Sequence, residues 1–240
     1  MLNFPKRDIV AHQEFLQEVK RAHRFYARFY FLKKDYSLIK SLPKNSRVLD
    51  IGCGDGKYFC RSMLMRDDLY LVGLDKDLYL SHIAANQIAG FVRADCNNPL
   101  PFKEWSFDFV HIAHVIEHLP NPIILLSEVL RILRPKGILY LEAPSVSCAF
   151  IPPLGLKGTL NFYDDPTHIR PYTRESLRRL GLQAGFKEKD MELFTARNKV
   201  SLLFLPYLLV KFIFTGYNDY LYNILEPILG LSVAGIFVKN

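Results

Sequence analysis

Arg47-Val-Leu-Asp-Ile-Gly-Cys-Gly-Asp-Gly56 is the stretch that decides the fold. Arg47–Ile51 reads as a short β-branched strand, and three glycines follow it at alternate positions. Glycine has no side chain and tolerates positive φ, so such a turn lets backbone approach a ligand closely. Asp50, just ahead of the glycines, narrows the choice of ligand. A dinucleotide site needs Gly-x-Gly-x-x-Gly, and the position for the third glycine is Lys57. A P-loop needs a closing Gly-Lys-Ser/Thr, and none follows here. A ligand with a cation, a carboxylate and no phosphate fits better. Glycine amides and a helix N-terminus hold the carboxylate, while Asp50 favours the cation.

Working outward, strand and helix signals alternate. Helix is expected over 56–65, strand over 70–74, helix over 78–88, and strands over 91–94 and 107–112. Asn121 is placed as the cap and Pro122 at the first turn of a helix that ends before Pro135-Lys-Gly137. Strand returns at 138–141. This rhythm predicts an α/β domain with helices on both faces of a parallel sheet, which right-handed crossovers make doubly wound. Residues 144–172 carry five prolines and little periodicity, and so read as a long functional loop. Thr173 caps a helix ending near Gly185, a strand follows over 186–194, and the last strand is 231–238. Between these two, the apolar insert 196–229 reads as helix broken at Pro206 and Pro227. Residues 8–40 read as one or two helices.

Half the residues are hydrophobic, enough to bury a full core, and the net charge is +7. Residues 1–40 hold nine Lys or Arg against four Asp or Glu, so +5 of that lies in the N-terminal segment 1–43. Such an arm suits anionic lipid, nucleic acid or an anionic substrate, or is a solvated helix face. Its aromatics at helical spacing, Phe25 to Phe31 among basic residues, fit core packing better than nucleic-acid binding. The four cysteines form no CxxC pair, which fits a reducing cytoplasm. The N-terminus lacks the apolar core of a signal peptide. The apolar stretches 202–214 and 228–238 fall short of the about 20 residues needed to span a bilayer, though they can lie on one.

Two further acids end strands. Asp75 lies 21 residues after Gly54 and can accept from both ribose hydroxyls. Asp95 can accept from an adenine amino group, with Cys96 beside the ring. Together with Leu100-Pro-Phe102, Phe107-Asp-Phe-Val110 and Leu133-Arg-Pro-Lys-Gly137, these residues resemble the class I S-adenosylmethionine-dependent methyltransferases, and within them the small-molecule group that includes ubiquinone-biosynthesis and sugar O-methyltransferases. The resemblance spans residues 44–194 and the last strand. It implies a Rossmann-like, doubly wound, seven-stranded sheet in the order 3-2-1-4-5-7-6 with an antiparallel last strand, filling residues 44–240. It implies S-adenosyl-L-methionine as cofactor. Gly52 and Gly54 would line its methionine part, Asp75 the ribose, Asp95 the adenine, and backbone near Ile112 and Ala113 its border. Asp50 would help to fix the glycine loop.

His114-Val-Ile-Glu-His118 matches an inverted zinc-protease pattern, but it follows a strand in a methyltransferase frame. The ubiquinone enzymes carry E-x-x-E-H, whose acids and histidine can hold a divalent ion. Here His114 replaces the first acid, so no metal is expected, and a buried Glu117–His118 pair should tie the strand end to the next helix. Asn161-Phe-Tyr-Asp-Asp-Pro-Thr-His-Ile-Arg-Pro-Tyr-Thr173 follows strand five, where such sheets bind ligands. His168 is the candidate base, oriented by Asp165 or Asp164, with Tyr163, Asp165 and Arg170 as candidate acceptor contacts.

The expected activity is O-methylation of a small or lipid-linked hydroxylated acceptor. The insert 196–229 suits an apolar acceptor, a peripheral membrane contact, a dimer interface or a lid. The alternatives are RNA or protein methylation through the basic helix, and a non-catalytic cofactor- or partner-binding protein. No Asn-Pro-Pro-Tyr or Asp-Pro-Pro-Tyr follows strand four, which disfavours base N-methylation, and nucleic acid is not the expected partner.

Overall fold

The computed structural model describes residues 34–56, 66, 68–77, 89–152, 160–188, 205–216 and 218–240. The expected helices over 8–33, 57–65 and 78–88, the strand beyond 188 and residues 196–204 lie outside the described residues.

Among the described residues seven strands form one sheet. They are β1 (Arg47–Ile51), β2 (Tyr70–Asp75), β3 (Gly90–Arg93), β4 (Phe107–Ala113), β5 (Leu133–Pro144), β6 (Lys187–Glu188) and β7 (Ser232–Val238). Their order is β3-β2-β1-β4-β5-β7-β6, as the resemblance implies. β1 to β5 pair in parallel. β7 runs antiparallel to both its neighbours. Ile51 stands opposite Leu74 on one side and Ile112 on the other, so the carboxyl ends of three strands reach one edge together.

Alternation along the strands sends neighbouring residues to opposite faces. Leu49, Val72, Val110 and Leu139 pack with α2 (Pro122–Ile132) and α3 (Arg174–Gln183) through Leu125, Val129 and Leu177. Val48, Leu71, Phe109 and Tyr140 pack on the other face with Ile39 and Leu42 of and after α1 (Lys34–Ser41). Each fully buried aliphatic or aromatic side chain contributes about 1.5–3 kcal/mol. Thr173 caps α3 as expected, accepting from the Ser176 amide while Ser176 returns a bond to the Thr173 amide. Gly181 lets α3 sit tight on the sheet, because a Cβ there would fall 2.1 Å from Phe237 Cε1.

The structure corrects several expectations. Asn121 holds the cap position of α2, but its side chain makes no capping bond; Pro122 supplies the start. β5 begins at Leu133 rather than 138, because Leu133 pairs with Phe107 before the ladder resumes at Ile138 opposite Phe109. The apolar insert does not break at Pro227. Pro206 is the second residue of α4 (Leu205–Thr215), where a missing N–H costs nothing, and Pro227 sits in the last turn of α5 (Asn218–Leu229). Among the described residues α4 and α5 are separated at Gly216, at φ +65°. The proline-rich loop is ordered where described. Short 3₁₀ turns span Val146–Phe150 and Phe162–Asp164, and Ser145 bridges to Tyr172. Cys148, Ile151, Leu160 and Phe162 bury themselves there with Leu231.

Candidate functional site

The sheet order reverses between β1 and β4, and open α/β sheets bind ligands at the carboxyl side of such a point. A cavity of about 380 Å³ lies there, a size suited to a small organic molecule. Gly52, Leu74, Asp75, Ala94, Asp95 and Cys96 line one part of it; His114, Val115, His118, Leu119 and Thr167 line another.

The glycine loop is tied to the next strand. The Gly52 amide donates to the Leu74 carbonyl at 2.8 Å and the Cys53 amide to the same oxygen at 3.2 Å. The Gly54 amide donates to Asp75 Oδ2 at 2.8 Å, and the Asp77 amide to Oδ1 at 3.1 Å. Two residues singled out in the sequence, Gly54 and Asp75, therefore touch. Each Asp75 oxygen keeps a lone pair for a ligand hydroxyl. Gly52 has φ +74°, and a Cβ there would stand 2.3 Å from Val115 Cγ2, at the cavity wall. Only glycine holds this turn without strain.

Asp95 lines the cavity with Cys96, and its Oδ1 accepts from the Asn97 amide at 2.9 Å. Burial, helped by the Asp95 charge, pushes the Cys96 thiol up to about 11. It stays protonated at neutral pH and acts as an apolar wall rather than a nucleophile. Past Ile112 and Ala113, where a cofactor border is expected, the first residue of this segment to line the cavity is His114. Ile112 is fully buried in the core, and the wall is His114, at φ +57°.

Asp50 does not fix the loop through its side chain. It is buried, and its Oδ1 is 2.7 Å from His111 Nδ1. Burial raises the Asp50 carboxyl despite the histidine's pull. For His111, burial acts downward but Asp50, Asp35 and Glu142 outweigh it and raise the imidazole. Both shifts favour keeping a proton between the two groups. Linear reasoning missed His111, because one polar residue inside an apolar strand gives no periodic signal. His111 stacks on Tyr140 at 5.2 Å, the Tyr140 hydroxyl donates to Glu142 Oε2 at 2.6 Å, and Glu142 Oε1 is 3.7 Å from His114 Nε2. A polar layer thus runs from α1 under the sheet end to the cavity wall.

The expected Glu117–His118 pair is not one. Glu117 is fully buried and faces His114, with Nδ1 3.4 Å from Oε1. His118 turns to the proline-rich loop, its Nδ1 2.8 Å from Thr167 Oγ1. What ties the segment down is backbone, the Ile169 amide donating to the Glu117 carbonyl at 2.8 Å.

The same loop brings His168 against His118, ring centroids 4.7 Å apart. His168 Nδ1 is 2.7 Å from the Phe162 carbonyl, which can only accept. Nδ1 therefore carries the proton and Nε2 keeps its lone pair. Asp165 is not the orienting partner, since its nearest oxygen is 3.9 Å from His168 Nε2. Its Oδ1 accepts instead from the Thr167 amide and hydroxyl, at 2.8 and 2.6 Å. The Thr167 hydroxyl bond holds its carboxyl below the usual range. Nor is Asp164, whose Oδ2 accepts from the Leu160 and Asn161 amides. Tyr163 is 70% exposed, and Arg170 donates to the Pro120 carbonyl at 2.6 Å. Tyr163, Asp165 and Arg170 thus shape the outer loop, and neither they nor His168 are among the residues lining the cavity; His168 stands behind His118, which does line it.

A family model described as a methyltransferase domain matches residues 21–188. A Mycolicibacterium smegmatis protein named as a probable S-adenosylmethionine-dependent methyltransferase is 31% identical over 144 residues, covering 60% of this chain and 52% of its own. A Macaca fascicularis tRNA (carboxymethyluridine(34)-5-O)-methyltransferase is 35% identical over 112 residues, covering 44% of this chain and 16% of its own. The chain spans about half the length of the first curated relatives it matches. The fold matches Haemonchus contortus phosphoethanolamine N-methyltransferase 2, solved with S-adenosyl-L-methionine, with a TM-score of 0.60 at 18% identity over 94% of this chain and 60% of that one.

Proposed function

The chain belongs to the methyltransferase-domain family of S-adenosylmethionine-dependent enzymes, and from that premise we propose that it methylates an oxygen of a small or lipid-linked hydroxylated acceptor. Bound S-adenosylmethionine supplies a methyl group on a sulfonium, already activated for in-line displacement. The residues fit that molecule. Asp75 offers lone pairs to the ribose hydroxyls, Asp95 and Cys96 flank the adenine, and Gly52 leaves the space a side chain would fill.

The chain's remaining task is to place an acceptor hydroxyl and remove its proton. The observation that carries the oxygen reading is the His168–Phe162 hydrogen bond, which leaves Nε2 of a part-buried imidazole ready to take that proton. The hydroxyl hydrogen moves to Nε2 as the oxygen is methylated. Leu119 and Val115 give the cavity an apolar wall that excludes water.

An apolar or lipid-linked acceptor is favoured by the surface of the insert. α4 exposes Val210, Ile213 and Phe214, and α5 exposes Ile228 and Leu229. Among the described residues no helix is long and apolar enough to cross a membrane. The reading is a cytoplasmic enzyme that meets the membrane peripherally, and sedimentation with anionic liposomes tests it; a protein left entirely in the supernatant refutes it.

A second reading, methylation of RNA, has the identity with the tRNA methyltransferase in its favour. One experiment separates the two. The protein is incubated with methyl-labelled S-adenosylmethionine and cell extract, and the product is divided into lipid, aqueous, protein and nucleic-acid fractions. Label in the lipid or small-molecule fraction is expected; label confined to nucleic acid or protein overturns the proposal.

A further inference from the structure

Glu117, His118 and His168 each offer a ligand atom, and these atoms all lie within 4.8 Å of one another. Glu117 is fully buried, and among the described residues neither carboxylate oxygen has a hydrogen-bond partner. His114, 3.4 Å from Oε1, is its near ionisable neighbour. A carboxylate held in the interior without donors is costly, so a cation belongs beside it.

The two imidazoles are held in the tautomer that leaves a lone pair for that cation. His168 Nδ1–H donates to the Phe162 carbonyl. Thr167 Oγ1 gives its proton to Asp165 Oδ1 at 2.6 Å, so it accepts from His118 Nδ1–H at 2.8 Å. Each ring therefore keeps its lone pair on Nε2. An outward N–H bonded to a carbonyl, or through a hydroxyl to a carboxylate, is how metal-binding histidines fix tautomer and orientation.

We propose that Glu117, His118 and His168 bind one divalent first-row transition-metal ion at the acceptor side of the cofactor cavity. Two imidazoles and one carboxylate suit Zn²⁺, Co²⁺ or Mn²⁺ better than Mg²⁺, which prefers oxygen ligands. Bonds of about 2.0–2.2 Å put ligand atoms roughly 3.0–3.5 Å apart, so shifts on the order of 1 Å close the set. Of the three ligands His118 lines the cavity, together with Thr167, which places the site at the cavity's edge. The linear pattern lacks this site because the third ligand stands fifty residues on, at His168, and not at position 114.

The consequence rests on the methyltransferase reading. Held by these three residues, the ion would act as a Lewis acid on an acceptor hydroxyl and ease the loss of its proton to water. With the ion bound, His168 Nε2 is a ligand and no longer the base, so the His168 route of the proposed function belongs to the metal-free protein alone.

The test uses tag-free full-length protein stripped with chelator, titrated with Co²⁺ and followed by its visible absorption, with S-adenosylmethionine calorimetry in parallel. One Co²⁺ per chain is expected. His168→Ala and Glu117→Gln should each weaken it at least about 100-fold, and Thr167→Val, which keeps all three ligands, by about 10–100-fold. S-adenosylmethionine affinity of His168→Ala should stay within about threefold, which also certifies its fold. A parent that binds S-adenosylmethionine but no Co²⁺ below millimolar concentration overturns the metal site and leaves the methyltransferase reading standing. So does a His168→Ala variant that binds Co²⁺ like the parent. A parent that binds Co²⁺ but no S-adenosylmethionine supports the metal site and sinks the cofactor assignment; one that binds neither overturns both.

Discussion

Replacing Asp75 by alanine should abolish most of the affinity for S-adenosylmethionine without abolishing the fold. The carboxylate already accepts from the amides of Gly54 and Asp77 and has lone pairs left for two ribose hydroxyls. A hydrogen bond to a charged acceptor is worth about 1.5–3 kcal/mol. Two of them give about 3–6 kcal/mol, and water filling the vacated space returns part, so the lower end applies. About 3 kcal/mol is a loss of roughly 10²-fold in affinity. Asp75→Asn keeps one neutral acceptor and should lose about tenfold. The Gly54 amide also loses its acceptor, at about 1 kcal/mol at this half-open site. Calorimetric titration of the parent and both variants measures the series, with circular dichroism melts as the control. The losses should be equal for S-adenosylmethionine and S-adenosylhomocysteine, because Asp75 addresses the ribose they share. An alanine variant within threefold of the parent refutes the assignment. So does a loss seen for the sulfonium compound alone, which would make Asp75 a charge partner instead.

Gly181→Ala forces a Cβ to 2.1 Å from Phe237 Cε1, an overpacking that costs about 1–3 kcal/mol, and should lower the melting temperature by roughly 3–10 °C. The raised imidazole of His111 contributes stability that is present below its unfolded value of 6.5 and lost as pH rises through the higher folded value. Denaturant unfolding from pH 6 to 9 should show stability falling, with a shallower slope in His111→Gln; equal slopes would remove His111 as the cause. Cys96, with its thiol near 11, should react slowly with iodoacetamide at pH 7.5, faster as pH rises, and more slowly again when S-adenosylmethionine is added. Reaction unaffected by the cofactor would place the adenine elsewhere.

What could be read from the sequence was local. The β1 strand, its glycine turn and Asp75 announce themselves because one strand and one loop carry all their chemistry within a few residues. The sheet order came through the family resemblance rather than from spacing, and the structure bears it out. The catalytic side was less legible because its contacts cross the chain. Nothing near His168 in the sequence says that it will stand beside Glu117 and His118. Nothing near Arg170 says that it will be spent on the Pro120 carbonyl. Asp165 looked like an orienting acid for His168, but a nearer claimant, the Thr167 turn, takes its oxygen. His111 illustrates the same limit from inside the core. Its partners Asp35, Asp50 and Tyr140 come from a helix and two other strands, and only the assembled sheet stacks them.

The most direct test of the account is a crystal structure of the protein with S-adenosylhomocysteine. The account predicts both ribose hydroxyls on the Asp75 carboxylate, the adenine against Asp95 and Cys96, and the sulfur directed toward His118 and His168. A nucleoside bound away from Asp75, or a sulfur turned from the two histidines, would contradict it.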